Sequence, residues 1–186
     1  MQKSIISLLF ILIVFFSCKE RISKIELVKK YYETLNNSDF SNVSSLLSDS
    51  ILSKEVKYKM MFSHEDYLEL LKWDSTFKPE YKVINISEED EIIKTKISQK
   101  DKRILFLNEE PIITNQVIRF KNGKILNIEI VDYIVFNDSI FIRNRTKLIN
   151  WIDINHPELK GFLHDQTKKG GLKYLKAIEF YQKANK

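Results

Sequence analysis

Phe120-Lys121-Asn122-Gly123-Lys124-Ile125 is the stretch on which the fold turns. Asn-Gly between alternating apolar residues is the strongest short-range hairpin signal, because both residues tolerate the positive φ of a two-residue turn. Reading outward, Ile112, Thr114, Gln116, Ile118 and Phe120 share one parity before the turn. Leu126, Ile128, Ile130, Asp132 and Ile134 share one after it, on the more apolar face. A period of 2 over that length predicts antiparallel strands near 112–120 and 124–135. The same period runs back to Glu80 and predicts further strands near 80–87, 92–99 and 103–107.

Upstream of Glu80 the period is 3.6. Ser23-Lys24-Ile25-Glu26 reads as a capping box, with Ile22 and Leu27 placed as a hydrophobic staple. Ile25, Val28, Tyr32 and Leu35 then recur at helical spacing until Asn36-Asn37-Ser38-Asp39 ends the helix. A short second helix carries Phe40, Val43, Leu46 and Leu47 inward. Alternation at Val56, Tyr58, Met60 and Phe62 predicts a short strand. Ser63-His64-Glu65-Asp66 opens a third helix, with Phe62 and Tyr67 as its staple, and Pro79 marks its end. Beyond Phe136 the pattern predicts a helix over about 144–155, a new start at His156-Pro157, and a break at Gly170-Gly171. A last amphipathic helix bears Tyr174, Ala177, Ile178 and Tyr181.

The N-terminus has a separate logic. One basic residue, Lys3, precedes an apolar run from Ile5 to Phe16 broken only by Ser7. Twelve helical residues reach roughly 18 Å, short of a bilayer core of about 30 Å, so the run reads as an export signal. It ends in Phe15-Phe16-Ser17-Cys18, which resembles a bacterial lipobox, and Cys18 is the chain's only cysteine. Ordinary signal cleavage prefers a small residue where Phe15 stands. Residues 1–17 are therefore expected to be a lipoprotein signal peptide and Cys18 the lipidation site. Residues 18–22 would be a short tether, and the mature chain a palmitate-bearing lipoprotein of the cell envelope, in the outer membrane of a Gram-negative bacterium.

With Cys18 acylated, disulfide and thiolate chemistry are excluded. Removing Lys3 leaves 29 basic and 25 acidic side chains, a net +4, with lysines outnumbering arginines 24 to 5 and no dense basic tract. Nucleic-acid interfaces favour clustered cations and bidentate arginine, so no nucleic-acid partner is expected. The composition, 44% hydrophobic with four Gly and three Pro, is that of a folded domain. His64, His156 and His164 lack metal-ligand spacing, and no phosphate loop or nucleophile elbow occurs, so neither a metal nor another cofactor is expected.

Three helices followed by antiparallel strands resemble the nuclear transport factor 2-like superfamily, and more narrowly its SnoaL-like polyketide-cyclase branch. The residues that carry the likeness are Val28-Lys29-Lys30-Tyr31-Tyr32-Glu33-Thr34-Leu35-Asn36, Asp39-Phe40, the Asn122-Gly123-Lys124-Ile125 hairpin, and Asp132-Tyr133 closing the strand. The resemblance implies an α+β fold: a helix-backed, curved antiparallel sheet forming a cone over residues 23–135, with a pocket inside. Residues 136–186 depart from the pattern and are expected to pack on the cone as a helical extension. Members of that superfamily include isomerases, dehydratases, cyclases and non-catalytic binding domains.

Strand parity nominates Thr95, Thr114 and Gln116 as polar groups on core-facing rows, and Asp132 as a carboxylate on the apolar row of the last strand. A carboxylate so placed can have a raised pKa and act as a general base, the device that the resemblance implies for isomerases. The other reading puts Asp132 at a strand end near solvent. Tyr32 and Trp73 could line a pocket for a flat ligand or simply fill the core. The expected function is a lipid-anchored, non-catalytic module binding a small molecule or an envelope protein. The alternative is a small-molecule isomerase, dehydratase or cyclase working in the cone.

Overall fold

The computed structural model describes residues 22–185, so the signal segment, Cys18 and nearly all of the short tether lie outside the described residues. Helix α1 (Lys24–Asn36) starts on the expected capping box: the Glu26 amide donates to Ser23 Oγ at 3.2 Å, and the Ser23 amide to Glu26 Oε2 at 3.3 Å. Ile22 is 53% exposed. Leu27, Val28, Tyr31, Tyr32 and Leu35 form the buried stripe of α1, which packs on the inner face of the sheet.

Six strands make one curved, mixed sheet: β1 (Leu47–Glu55), β2 (Tyr58–Ser63), β3 (Glu80–Glu89), β4 (Ile92–Lys100), β5 (Ile112–Lys121) and β6 (Lys124–Val135). Their spatial order is β2-β1-β6-β5-β4-β3. Four neighbouring pairs are antiparallel, and β1 runs parallel to β6. That parallel pair modifies the all-antiparallel expectation. It arises because β1, which follows helix α2 (Phe40–Leu46), lies between its antiparallel neighbour β2 and the last strand, β6. Leu47, expected at the end of α2, instead opens β1. Leu47-Ser48-Asp49-Ser50-Ile51 alternates poorly, and it is strand because Leu47 pairs with Ile125 of β6 while Ser50 and Ile51 pair with Ser63 and Phe62 of β2.

Helix α3 (His64–Ser75) follows β2 directly, capped by Ser63 and stapled by Phe62 against Tyr67 at a ring distance of 5.7 Å. Residues 103–107 are not a strand. They belong to helix α4 (Lys102–Asn108), whose N-cap Asp101 accepts the Ile104 amide at 2.6 Å. Ile104 and Leu107, three apart, are its buried face.

The C-terminal part contains α5 (Asp138–Asn155), a 3₁₀ turn at Pro157–Leu159 and α6 (Lys168–Ala184). Gly170-Gly171 does not break the chain. Both glycines lie in the first turn of α6, and a Cβ on Gly171 would sit 2.4 Å from Thr76 Oγ1 and 2.8 Å from the Trp73 carbonyl. They are small so that α6 can touch the end of α3.

Two cores result. The first fills the cone between α1, α3 and the sheet, with Val28, Tyr32, Ile51, Ile93, Ile118 and Ile125. The second joins Trp73, Phe77 and Leu107 to Leu148, Ile152, Tyr174 and Ile178 of the C-terminal helices.

Candidate functional site

The inner row of the sheet follows from cross-strand register, because directly opposed residues share a face. Gln116 stands opposite Thr95 on one side and Ile130 on the other, and Thr114 opposite Ile97 and Tyr133. Tyr32 reaches down from α1, and its hydroxyl donates to Gln116 Oε1 at 2.6 Å. Gln116 Nε2 in turn donates to Thr114 Oγ1 at 2.9 Å. Thr95 turns back to the Asn85 carbonyl, at 2.8 Å. Four of the expected site residues are thus brought together, but all are buried and hydrogen-bonded to the protein.

Beside them the Tyr31 and Tyr67 hydroxyls meet at 2.9 Å. Burial pushes the Tyr67 phenol up to about 12, and it raises Tyr31 and Tyr32 well above the usual tyrosine value. These hydroxyls stay protonated at physiological pH. The interior of the cone is packed with neutral, paired groups.

Asp132 is not among them. Three times along β6 an extra residue enters the ladder with β5, at Leu126, Val131 and Ile134. Each β-bulge resets the in–out alternation. Asp132 consequently falls opposite Asn115 on the outer face and is exposed, while Tyr133 takes the inner position that parity assigned to Asp132. Counting in twos is valid only between bulges.

Trp73 does not line the cone either. It packs in the second core, 5.2 Å from the Phe77 ring, with the Arg103 guanidinium 4.7 Å from its ring centre. Arg103 anchors a polar knot that the sequence reading did not identify. Its Nη2 donates to Asp74 Oδ1 at 3.1 Å and lies 3.4 Å from Asp101 Oδ2. Tyr81 donates to Asp74 Oδ2 at 2.8 Å, and Gln99 to Tyr81 at 3.1 Å. Burial raises the Asp101 pKa, while the Arg103 charge works against that shift. The available signal was Asp101 standing three residues before Ile104 as a helix start.

Open space on the concave side lies at the β2 end of the sheet. A cleft of about 250 Å³ is lined by Ser53, Glu55, Tyr58, Met60, Phe62, Leu70 and Gln166, with Lys59 at its rim. Glu55 is the only acid in that lining, and it accepts a hydrogen bond from the Tyr133 hydroxyl. Burial, and next that bond to Glu55, raise the Tyr133 pKa. A second depression, of about 340 Å³, spans β3, β4, β5 and β6, lined by Asn85, Lys94, Lys96, Asn115 and Val117, with the expected site residues Thr95 and Gln116 also in its lining. The cleft joins apolar walls to a carboxylate, a phenol and a hydroxyl, and so suits a small, largely apolar ligand with one polar handle.

No protein-family model matches the sequence, and no curated protein is recognisably similar to it. Solved structures are similar in fold. A nuclear transport factor 2-like protein of unknown function from Cytophaga hutchinsonii superposes with a TM-score of 0.52 at 15% identity, covering 67% of this chain and 98% of its own. A protein from Kribbella flavida gives 0.52 at 10% identity, over 66% and 93% of the two chains. A putative ketosteroid isomerase from the same organism gives 0.48 at 13% identity, over 56% and 73%. The fold is therefore α+β and nuclear transport factor 2-like, with a helical C-terminal addition.

Proposed function

We propose that this chain is a lipid-anchored, non-catalytic module of the cell envelope that binds a small apolar molecule in the cleft between β1, β2 and α3. The observation that carries the reading is the closed chain Tyr32–Gln116–Thr114. Three of the polar side chains that strand parity offers as pocket residues are hydrogen-bonded to one another instead. The cleft at the β2 end is the one with apolar side chains set out for a ligand: Tyr58 and Met60 are exposed by 80% and 57% beside Phe62 and Leu70. The anchor rests on Cys18 and the export segment before it. Its check is acyl mass on a membrane-fraction peptide that begins at Cys18.

The binding test uses N-phenyl-1-naphthylamine, a neutral flat probe whose fluorescence rises in apolar surroundings. Saturable binding is expected, and Tyr58→Ser should weaken it about fivefold, the loss of roughly 1 kcal/mol of apolar contact. Absence of saturable binding overturns the reading. The catalytic alternative would run through Glu55, the one acid in the cleft and already paired with a phenol. Glu55→Gln should still complement a deletion strain if the chain only binds. Loss of complementation with probe binding intact would favour the enzyme.

A further inference from the structure

The two edges of the sheet are treated differently. At the β3 edge, Asn36 plugs the backbone: its Nδ2 donates to the Tyr81 carbonyl at 2.9 Å, and its Oδ1 accepts the Tyr81 amide at 2.6 Å. A bulge at Ile84 and the charges of Glu80, Lys82, Glu88 and Glu89 protect the rest. These are the usual devices that stop a sheet from adding foreign strands. The β2 edge lacks both the side-chain plug and the bulge, and is less charged. Tyr58-Lys59-Met60-Met61-Phe62-Ser63 pairs with β1 without a bulge, contains no proline, and carries one charge. Among the described residues no hydrogen bond reaches its free side, and Tyr58, Met60 and Met61 are exposed by 80%, 57% and 61%.

We propose that β2 joins a second copy of this chain, antiparallel across a two-fold axis at Met60, so that two sheets continue as one. Tyr58, Met60 and Phe62 also line the ligand cleft, but the pairing itself requires no ligand. A two-fold axis normal to the sheet pairs only residues of equal parity, which keeps each side chain on its own face. With Met60 on the axis, Tyr58 falls opposite Phe62 of the second copy on the inner face, an aromatic cross-strand pair of the kind that stabilises sheets. On the outer face Lys59 falls opposite Met61. Moving the axis to Lys59 would set two ammonium groups against each other, and moving it to Met61 would lay Tyr58 against His64, where the strand has become helix.

Charge supports the same partner. Lys57 and Lys59 stand at the start of β2, and the exposed Glu65 and Asp66 just beyond its end. None of the four is engaged in an ion pair among the described residues. Antiparallel pairing lays the basic end of each strand beside the acidic end of the other, which is self-complementary in an isologous contact.

The full chain, purified in detergent, should sediment as a dimer at about 100 μM, a concentration that saturates a modest interface of micromolar affinity. Met60→Lys places two lysines on the axis and should raise the dissociation constant at least about tenfold, with unchanged circular dichroism. Lys57→Glu should weaken the dimer, and adding Glu65→Lys should restore it. Met60→Cys should cross-link under oxidation, since opposed Cα atoms lie about 4.5–5.5 Å apart, whereas Met61→Cys, roughly 8 Å from its own mate, should not. The wild type, whose only thiol position is Cys18, is the control. A monomer at that concentration, or a dimer indifferent to Met60→Lys, overturns the proposal.

Discussion

Asp101 is held by forces that pull its proton affinity in opposite directions. Burial raises its pKa, and the Asp74 carboxylate nearby adds to the shift; the Arg103 charge and the Ile104 amide it caps oppose it. The net direction is upward from an unfolded value near 4. Between those two values the folded chain holds a proton that the unfolded chain has lost. That contribution to stability is complete below the unfolded value and disappears as pH rises through the folded one. Asn also caps helices well, so Asp101→Asn should keep α4 while removing the titration. In urea unfolding across a pH series, the wild type should lose stability relative to Asp101→Asn as pH rises through this window, then run level. A relative gain would mean that Arg103 outweighs burial. At this scale Tyr32, Thr95, Thr114 and Gln116 were readable in the sequence because α1, β4 and β5 keep regular periods across them. Asp132 was misplaced because bulges at Val131 and its neighbours leave no residue-type signature. Glu55 went unnoticed because β1 itself was not recognised.

Elements were legible where a local signal coincided with the tertiary outcome. The Asn122-Gly123 turn carries φ of 52° and 75°, the left-handed pair that the sequence advertises. Ser23 and Ser63 cap the helices that they announce. By contrast, Lys102–Asn108 satisfies a period-2 reading and a helical one equally over so short a run, and only the Asp101 cap decides it. Gly170-Gly171 illustrates the opposite error, for two glycines that look like a hinge serve close packing. Gly171 sits where α6 meets the end of α3, against Thr76 and the Trp73 carbonyl. The backbone oxygen cannot rotate away as a side chain could. Gly171→Ala should therefore cost about 1–3 kcal/mol despite the better helix propensity of alanine, as overpacking does. The cost reads as a lower urea midpoint with an unchanged slope. A stabilised variant would show that α6 can lift off α3 without loss.

At the level of the whole molecule, the second core determines whether the C-terminal helices are an appendage. Phe77 and Leu107, 0% and 1% exposed, belong to the cone's own elements, yet they are covered by Tyr174, Leu148 and Ile178 from α5 and α6. Uncovering Trp73, Phe77 and Leu107 would return three large side chains to water, at about 1.5–3 kcal/mol each. That is on the order of 5–9 kcal/mol, against a total stability of about 5–15 kcal/mol for a domain. The cone and its extension should therefore unfold together. The two tryptophans report on the two parts, Trp73 from α3 and Trp151 from α5. In a Trp151→Phe variant, the Trp73 fluorescence transition should coincide with the loss of far-ultraviolet dichroism, in one cooperative step. Deleting 140–186 should abolish that step or leave an aggregating product, because the uncovered ring surface has no other partner. If the truncated chain instead unfolds at the wild-type midpoint, the second core contributes nothing to the cone, and α5 and α6 merely rest on it.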